Sequence, residues 1–355
     1  MSEPRSTPTR RVGWLCGYVP EELIMAAGLE PVRIRGRAER VKQADSYMYP
    51  NFCPYLTNIL DSGVRGELAD LEGFIFTSSC DAMRRLHDLW TQHVRMPFTH
   101  MLEVPKNTDE NAVTFFAAQL VQLKTAMEKA FGVNILRGNL EAAIGLMNEH
   151  RELVTGLLER QKEVSSGTKG SEILALCLEE TASPKDAMTD KLRKAAGKVY
   201  EAGRRPHDAP RILVVGSVLD KLDLFHMVER AGGSVVAFDT CTGLRHYSGL
   251  VEQGRDLIQS LAKRYLGKPP CPRMPGIDKR MAYMSQIAQD YSVDGVIHSV
   301  VKFCDYGLFE TPAIEENMKG RQVPVLVLEN DYIWSDAGRM GTRIEAFVEM
   351  LRGGV

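Results

Sequence analysis

Seven cysteines punctuate a chain of 355 residues, and six of them fall into a pattern that repeats. Cys53 is followed by Pro54, and an apolar run then ends at Cys80-Asp81. Cys271 is followed by Pro272, and an apolar run then ends at Cys304-Asp305. Cys16 and Cys241 each follow a strand-like run near the start of a half. Thiolates at strand and loop ends in both halves suit a cluster held between two domains. Cys53, Cys80 and Cys304 are flanked by Pro, Ser, Asp or aromatic residues at element ends and read most readily as iron–sulfur ligands. Cys271, in the proline-rich KPPCPRMPG, and Cys241, in the turn-like DTCTG, follow. Cys16 is also explained by burial at a strand end. Cys177, inside EILALCLEE, reads as a small buried hydrophobe.

Competing chemistries remain for the same residues. Zinc also takes thiolates, but six cysteines with no neighbouring histidine exceed one tetrahedral site. Cys80 precedes the helix-like DAMRRLHDLW, where the helix terminus would lower a nucleophile's pKa and would equally stabilise a ligating thiolate. Ser78 and Ser79 stand beside Cys80 as candidate catalytic residues, donating to cluster sulfur or to substrate. His87, His93 and His100 read as a wet helix face and its exit rather than as ligands. His298 reads as a satisfied core residue. Arg84 and Arg85 suit a solvated face or an anion. GRMGTRIEAFVEML reads as a glycine loop leading into a final helix. No G-x-x-x-x-G-K-[ST] is present, and no G-x-G-x-x-G follows either opening strand, so neither a P-loop nor a dinucleotide fingerprint is indicated.

The elements that must position these residues alternate between strand and helix. RVGWLC, the helix EELIMAAG opened by Pro20 with acids in its first turn, and PVRI are repeated as RILVVG, LDLFHMVERAGG and SVVAF. The repeat places Gly28 opposite Gly232. GFIFTS, VDGVIHSV and VPVLVLEN are continuous apolar runs, as buried parallel strands require. The expectation is an α/β fold of two flavodoxin-like (Rossmann-like) parallel-sheet domains with a helical insertion. Residues 11–106 form an N-terminal α/β domain. Residues 107–205 are helical, pack on it and supply the linker, with RRPHDAP as the linker itself. Residues 206–355 form a C-terminal α/β domain. A formal charge of −2 gives no electrostatic case for nucleic acid. No apolar run approaches the ~20 residues that span a bilayer, and the polar N-terminus does not read as a signal peptide. A cytoplasmic location with reduced thiols follows as the expectation.

GYVPEELIMAAGLEPVRI, NFCPYL, TSSCDAMRRLHDLW, DGVIHSVVKFCDYG and GTRIEAFVEML together resemble the benzoyl-CoA reductase and 2-hydroxyacyl-CoA dehydratase superfamily. The resemblance runs from residue 13 to the C-terminus and implies Cys53, Cys80 and Cys304 as ligands of a [4Fe-4S] cluster. CTGLRHYSGLVE and AKRYLGKPPCPRMPG are similar to the double-cubane cluster proteins of that superfamily. This likeness implies that Cys16, Cys53, Cys80, Cys241, Cys271 and Cys304 ligate a sulfide-bridged [8Fe-9S] pair. The loop PRMPG departs from those proteins, which often carry a small residue or another cysteine there. The implied activity is a low-potential reductase that takes single electrons from an ATP-hydrolysing [4Fe-4S] activator and reduces a small molecule, as a homodimer. The alternative within the superfamily is a 2-hydroxyacyl-CoA dehydratase or benzoyl-CoA reductase-type subunit with one [4Fe-4S] cluster. A non-catalytic electron-transfer or cluster-carrying protein is the alternative of another class.

Overall fold

A computed structural model describes residues 10–37, 39–163, 167–198 and 208–353. The elements run β1 (Arg11–Trp14), α1 (Glu21–Ala26), β2 (Glu30–Arg33), α2 (Pro54–Val64), β3 (Leu71–Thr77), α3 (Asp81–His93) and β4 (Phe98–Leu102). Four helices follow: α4 (Glu110–Phe131), α5 (Arg137–Glu159), α6 (Gly170–Glu180) and α7 (Lys185–Lys198). The second half holds β5 (Arg211–Gly216), α8 (Asp223–Arg230), β6 (Ser234–Asp239), α9 (Leu244–Tyr247), α10 (Leu257–Gly267) and α11 (Ile277–Asp290). It ends with β7 (Gly295–Val301), α12 (Asp305–Lys319), β8 (Val325–Asn330) and α13 (Ala337–Gly353).

Two four-stranded sheets result, ordered β2-β1-β3-β4 and β6-β5-β7-β8. Every pairing is parallel. The strand order is the same in both, so the α/β reading and its internal repeat hold. The central strands β5 and β7 are buried at every residue, which is why their sequences are continuously apolar. The repeat extends to the helix ends. Gly28 (φ 72°) and Gly232 (φ 84°) both take the left-handed conformation just after α1 and α8, where a side chain would be strained. The fourth strand of the first sheet, β4, was not expected from the sequence. Its residues FTHML include a polar pair and alternate little, because the strand forms an edge.

The helical segment divides between two cores rather than resting on the first sheet alone. Phe116, Leu120 and Leu123 of α4 join Val12, Trp14 and Ile75 of the first sheet. Val154 and Leu158 at the end of α5, with Ile173, Leu174 and Leu192 of α6 and α7, join Ile212, Val214 and Val235 of the second. In exchange, Leu257, Leu261 and Tyr265 of α10 pack in the first core. The two sheets are thereby interleaved through their helices. RRPHDAP lies mostly outside the described residues, as does the start of SSGTKGS. The expected glycine loop near the C-terminus is absent: Gly338 and Gly341 lie within α13. Gly338 is exposed and Gly341 half-buried, and a Cβ at either would meet open space, so the helix tolerates them at a modest cost in propensity.

Candidate functional site

In parallel sheets, sites form beyond the carboxyl ends of strands, where the strand order reverses. Both sheets present that edge to one cavity of about 720 Å³. Its walls include Cys16 after β1, Cys80 after β3, Cys241 after β6 and Cys304 after β7, joined by Cys53 at the start of α2. Cys271 lines a small adjoining pocket of about 30 Å³, together with Cys16 and Cys241. The structure therefore brings all six expected cysteines into one region. Cys177 is apart, fully buried in α6, where burial pushes its thiol pKa up.

The six fall into two groups. Cys304 and Cys80 are the thiols that act electrostatically on Cys53. Cys53, Cys80 and Cys304 each occupy the position just before a helix, α2, α3 and α12 respectively. No side-chain cap bond of ordinary geometry closes those helix starts, and the Leu56 N–H in the first turn of α2 acts on the Cys53 thiol, so these groups and the helix dipole face the thiol positions. Cys16, Cys241 and Cys271 form the second group, set in loops. Tyr18 and Lys268 each feel all three sulfurs. Each group draws two cysteines from one half of the chain and one from the other.

Cations surround the second group. Arg33 donates to the Cys241 carbonyl (2.6 Å) and lies over the Trp14 ring. Arg245 donates to the Gly216 carbonyl (2.5 Å) and pairs with Asp239 (3.2 Å). Lys268 donates to the Gly17 carbonyl and covers the Tyr18 ring at 4.3 Å. Burial, assisted by Arg264, lowers the Lys268 ammonium to a pKa of about 7 against the pull of the nearby thiols. For Cys271, burial acts to raise the thiol pKa, but Arg273 and Arg245 outweigh it and the pKa is lowered. Cys53 shows the opposite balance, because burial pushes its thiol up to about 12.

The donor set fits an iron–sulfur group. Among the described residues, no three His, Cys, Asp or Glu side chains gather closely enough to hold one metal ion. The thiols border a space, and thiolates are the ligands that iron–sulfur groups take. A thiol such as Cys53, kept protonated by its surroundings, becomes a thiolate only when a metal supplies compensating charge.

The other sequence candidates separate. Ser79 lines the cavity, and its hydroxyl pairs with that of Thr77 (3.0 Å). Ser78 is buried and accepts from the Val104 N–H (2.8 Å), a bond that ties β3 to the segment after β4. His87 and His93 lie on α3 but His100 lies in β4. Each packs against an aromatic ring, Phe76, Tyr47 and Phe98 respectively. His298 is only half satisfied: Nδ1 meets the Thr311 hydroxyl at 3.3 Å, while Nε2 has no partner. Arg84 pairs with Glu103 and Arg85 with Asp88 on an exposed face.

Several residues of the site gave no signal as sequence features. The first-turn acids of α1 are not solvent-facing but buried and paired: Glu22 with Arg151 and the Tyr265 hydroxyl, Glu21 with Lys185 at 2.8 Å. Lys185 also meets Glu180 (2.8 Å), which bonds His150 and Tyr247. This network holds α1, and hence the Cys16 loop, against α5, α6 and α7. Arg33, Arg245 and Lys268 stand in no motif of the sequence. Lys268 and Arg245 do lie three and four residues from a candidate cysteine, which is the one local hint.

The family described as 2-hydroxyglutaryl-CoA dehydratase, D-component, matches residues 16–351. The chain belongs to this family. It is 27% identical over 360 residues to the Escherichia coli (strain K12) protein named "Putative dehydratase subunit YjiM", covering 96% of this chain and 91% of that one. It is 24% identical to the (R)-phenyllactyl-CoA dehydratase beta subunit of Clostridium sporogenes, over 99% and 94% of the two chains. It is also 24% identical to a benzoyl-CoA reductase subunit of Thauera aromatica, over 90% and 85%. The superfamily inferred from the cysteine-bearing segments is thus the one these relatives belong to, and they are subunits of enzymes. Among the described residues no helix is long and apolar enough to cross a membrane.

Proposed function

We propose that the chain is a low-potential iron–sulfur reductase that receives single electrons from an ATP-hydrolysing [4Fe-4S] activator and reduces a small molecule. The observation that carries this reading is the convergence of six thiols, in two groups of three, on adjoining cavities. Cys53, Cys80 and Cys304 would hold one cubane of an [8Fe-9S] double cubane, and Cys16, Cys241 and Cys271 the other. When bound, such a group supplies one-electron transfer at a potential set by its charge, its hydrogen bonds and its burial. The protein's own part is to shape that environment. Leu15, Leu56, Met83 and Val301 wall the cavity with apolar surface. Arg33 and Arg245 supply positive charge on one side, and the starts of α2, α3 and α12 on the other. Phe303, Leu308 and Phe309 stand at the cavity rim, Phe309 being 83% exposed. Ser79 offers a hydroxyl to a bound molecule. A homodimer in the cytoplasm completes this reading.

A second reading is favoured by the relatives, which are named as dehydratase and benzoyl-CoA reductase subunits. Here the chain is one subunit of such an enzyme, and Cys53, Cys80 and Cys304 alone hold a single [4Fe-4S] cluster. Iron and acid-labile sulfide, counted in protein purified without oxygen, separate the two. About eight irons per chain support the double cubane and about four the single cluster. A colourless protein free of iron would sink both.

A further inference from the structure

Arg273 lies two residues beyond Cys271, in the loop that leads into α11, and touches both thiol groups. Its backbone N–H donates to Cys271 Sγ at 3.3 Å. Its guanidinium Nη2 stands 3.8 Å from Cys304 Sγ. The anions that act on it are the sulfurs of Cys80, Cys304, Cys271 and Cys241, two from each group. Among the described residues no carboxylate pairs with it, unlike Arg245 and Arg280, whose partners include Asp239.

The side chain is also held in place from the first half of the molecule. Lys106 Nζ donates to the Arg273 carbonyl at 3.2 Å and to the carbonyl of Ser79, the neighbour of Cys80. The Tyr306 ring, two residues beyond Cys304, faces both cations, with the Arg273 guanidinium 5.8 Å and the Lys106 ammonium 5.4 Å from its centre. Holding a rotamer-rich arginine against an aromatic face lowers the entropy cost of keeping its charge in one position.

We propose that Arg273 is a positioning residue that bridges the two thiol groups and raises the reduction potential of a cluster bound between them. The inference rests on the cluster-holding role proposed above. Reduction adds negative charge, so a fixed cation nearby stabilises the reduced state more than the oxidised one. An arginine cannot surrender its proton under these conditions, so the charge persists through the redox cycle.

The test is a redox titration, followed by absorbance and electron paramagnetic resonance, of the natural protein, Arg273→Gln and Arg273→Lys, each purified without oxygen and with iron counted per chain. The expected result is a more negative midpoint potential in Arg273→Gln, with Arg273→Lys in between. Equal potentials in natural and Arg273→Gln proteins of equal iron content would overturn the inference while leaving the cluster reading in place. A natural protein without iron would overturn both. Should Arg273→Gln not accumulate as folded protein, Tyr306→Leu carries the test, because it removes the ring that faces the Arg273 guanidinium without removing a charge. It should shift the potential in the same direction by less, and an unchanged potential there counts against the inference. A merely structural role for Arg273 would lower the melting temperature and leave the potential where it was.

Discussion

The two thiol groups meet the same electrostatic need by different means. Cys53, Cys80 and Cys304 sit at the starts of helices, and the backbone supplies the positive field. Cys16, Cys241 and Cys271 sit in loops, and Arg33, Arg245 and Arg273 supply it. Yet the groups are built on a repeat. Cys80 and Cys304 follow equivalent strands, β3 and β7, whereas Cys53-Pro54 begins its helix and Cys271-Pro272 lies before Gly276, the residue that precedes α11. One cysteine position is thus a helix cap and its counterpart a loop. A field made by the backbone survives side-chain substitution, while a field made by side chains can be dismantled one residue at a time.

The comparison can be broken most severely by taking the metal away. Each group draws cysteines from both halves, so iron chelation should loosen the halves and speed limited proteolysis well beyond that of the loaded protein. An identical digestion pattern with and without iron would contradict shared ligation. The next largest effect should come from Arg151→Met. Burial acts to raise the Glu22 carboxyl pKa, but Arg151 and Arg264 overcome it and hold it below the ordinary range. Removing Arg151 leaves a buried charge unpaired and should cost about 3–5 kcal/mol in denaturant unfolding. The support of α1 also gives a pH dependence. The Glu22 contribution is present above the unfolded carboxyl pKa of about 4.3, and it is lost as pH falls through the lower folded value. Arg151→Met should therefore flatten the acid limb of the unfolding curve.

A smaller effect isolates the loop-borne group. The folded protein holds the Lys268 pKa at about 7, below the ~10.4 of the unfolded chain. Between those values the unfolded state binds more protons, so this group makes stability rise with pH. Lys268→Met should remove that rise from apoprotein unfolding measured between about pH 7 and 10, and an unaltered slope would mean that the lysine is not held neutral. The smallest contrast lies within one pair of serines. Ser78→Ala orphans the buried Val104 N–H and should cost about 1–3 kcal/mol. Ser79→Ala loses only a partner hydroxyl and should cost less, so any loss of turnover in Ser79→Ala without loss of stability would mark it as a substrate contact.

Much of this was legible because the signals were local. Apolar runs announced seven of the eight strands, and the Cys-Pro and Cys-Asp punctuation marked Cys53, Cys80 and Cys304, which lie at element ends. The left-handed glycines at 28 and 232 marked the repeat. What stayed hidden depends on packing between distant segments. Nothing in FTHML distinguishes a strand from a helix exit, since β4 buries only its two end residues and leaves no pattern. Glu21 and Glu22 look like first-turn acids on any helix, and only the fold brings Lys185 and Arg151 to them. The exchange by which α10 joins the first core and α6 the second follows from the chain's path, which periodicity does not encode. Arg273 stands in a proline-rich loop with no local signal, and only the fold brings it beside Cys304.

The central claim, that two sets of three cysteines hold two parts of one cluster, is tested most directly by counting iron and acid-labile sulfide in Cys241→Ser/Cys271→Ser protein purified without oxygen beside the natural chain. The account predicts a fall from about eight irons per chain to about four, with the Cys53, Cys80 and Cys304 half retained. The same iron content in both proteins would contradict it and leave the loop-borne cysteines without a ligand role.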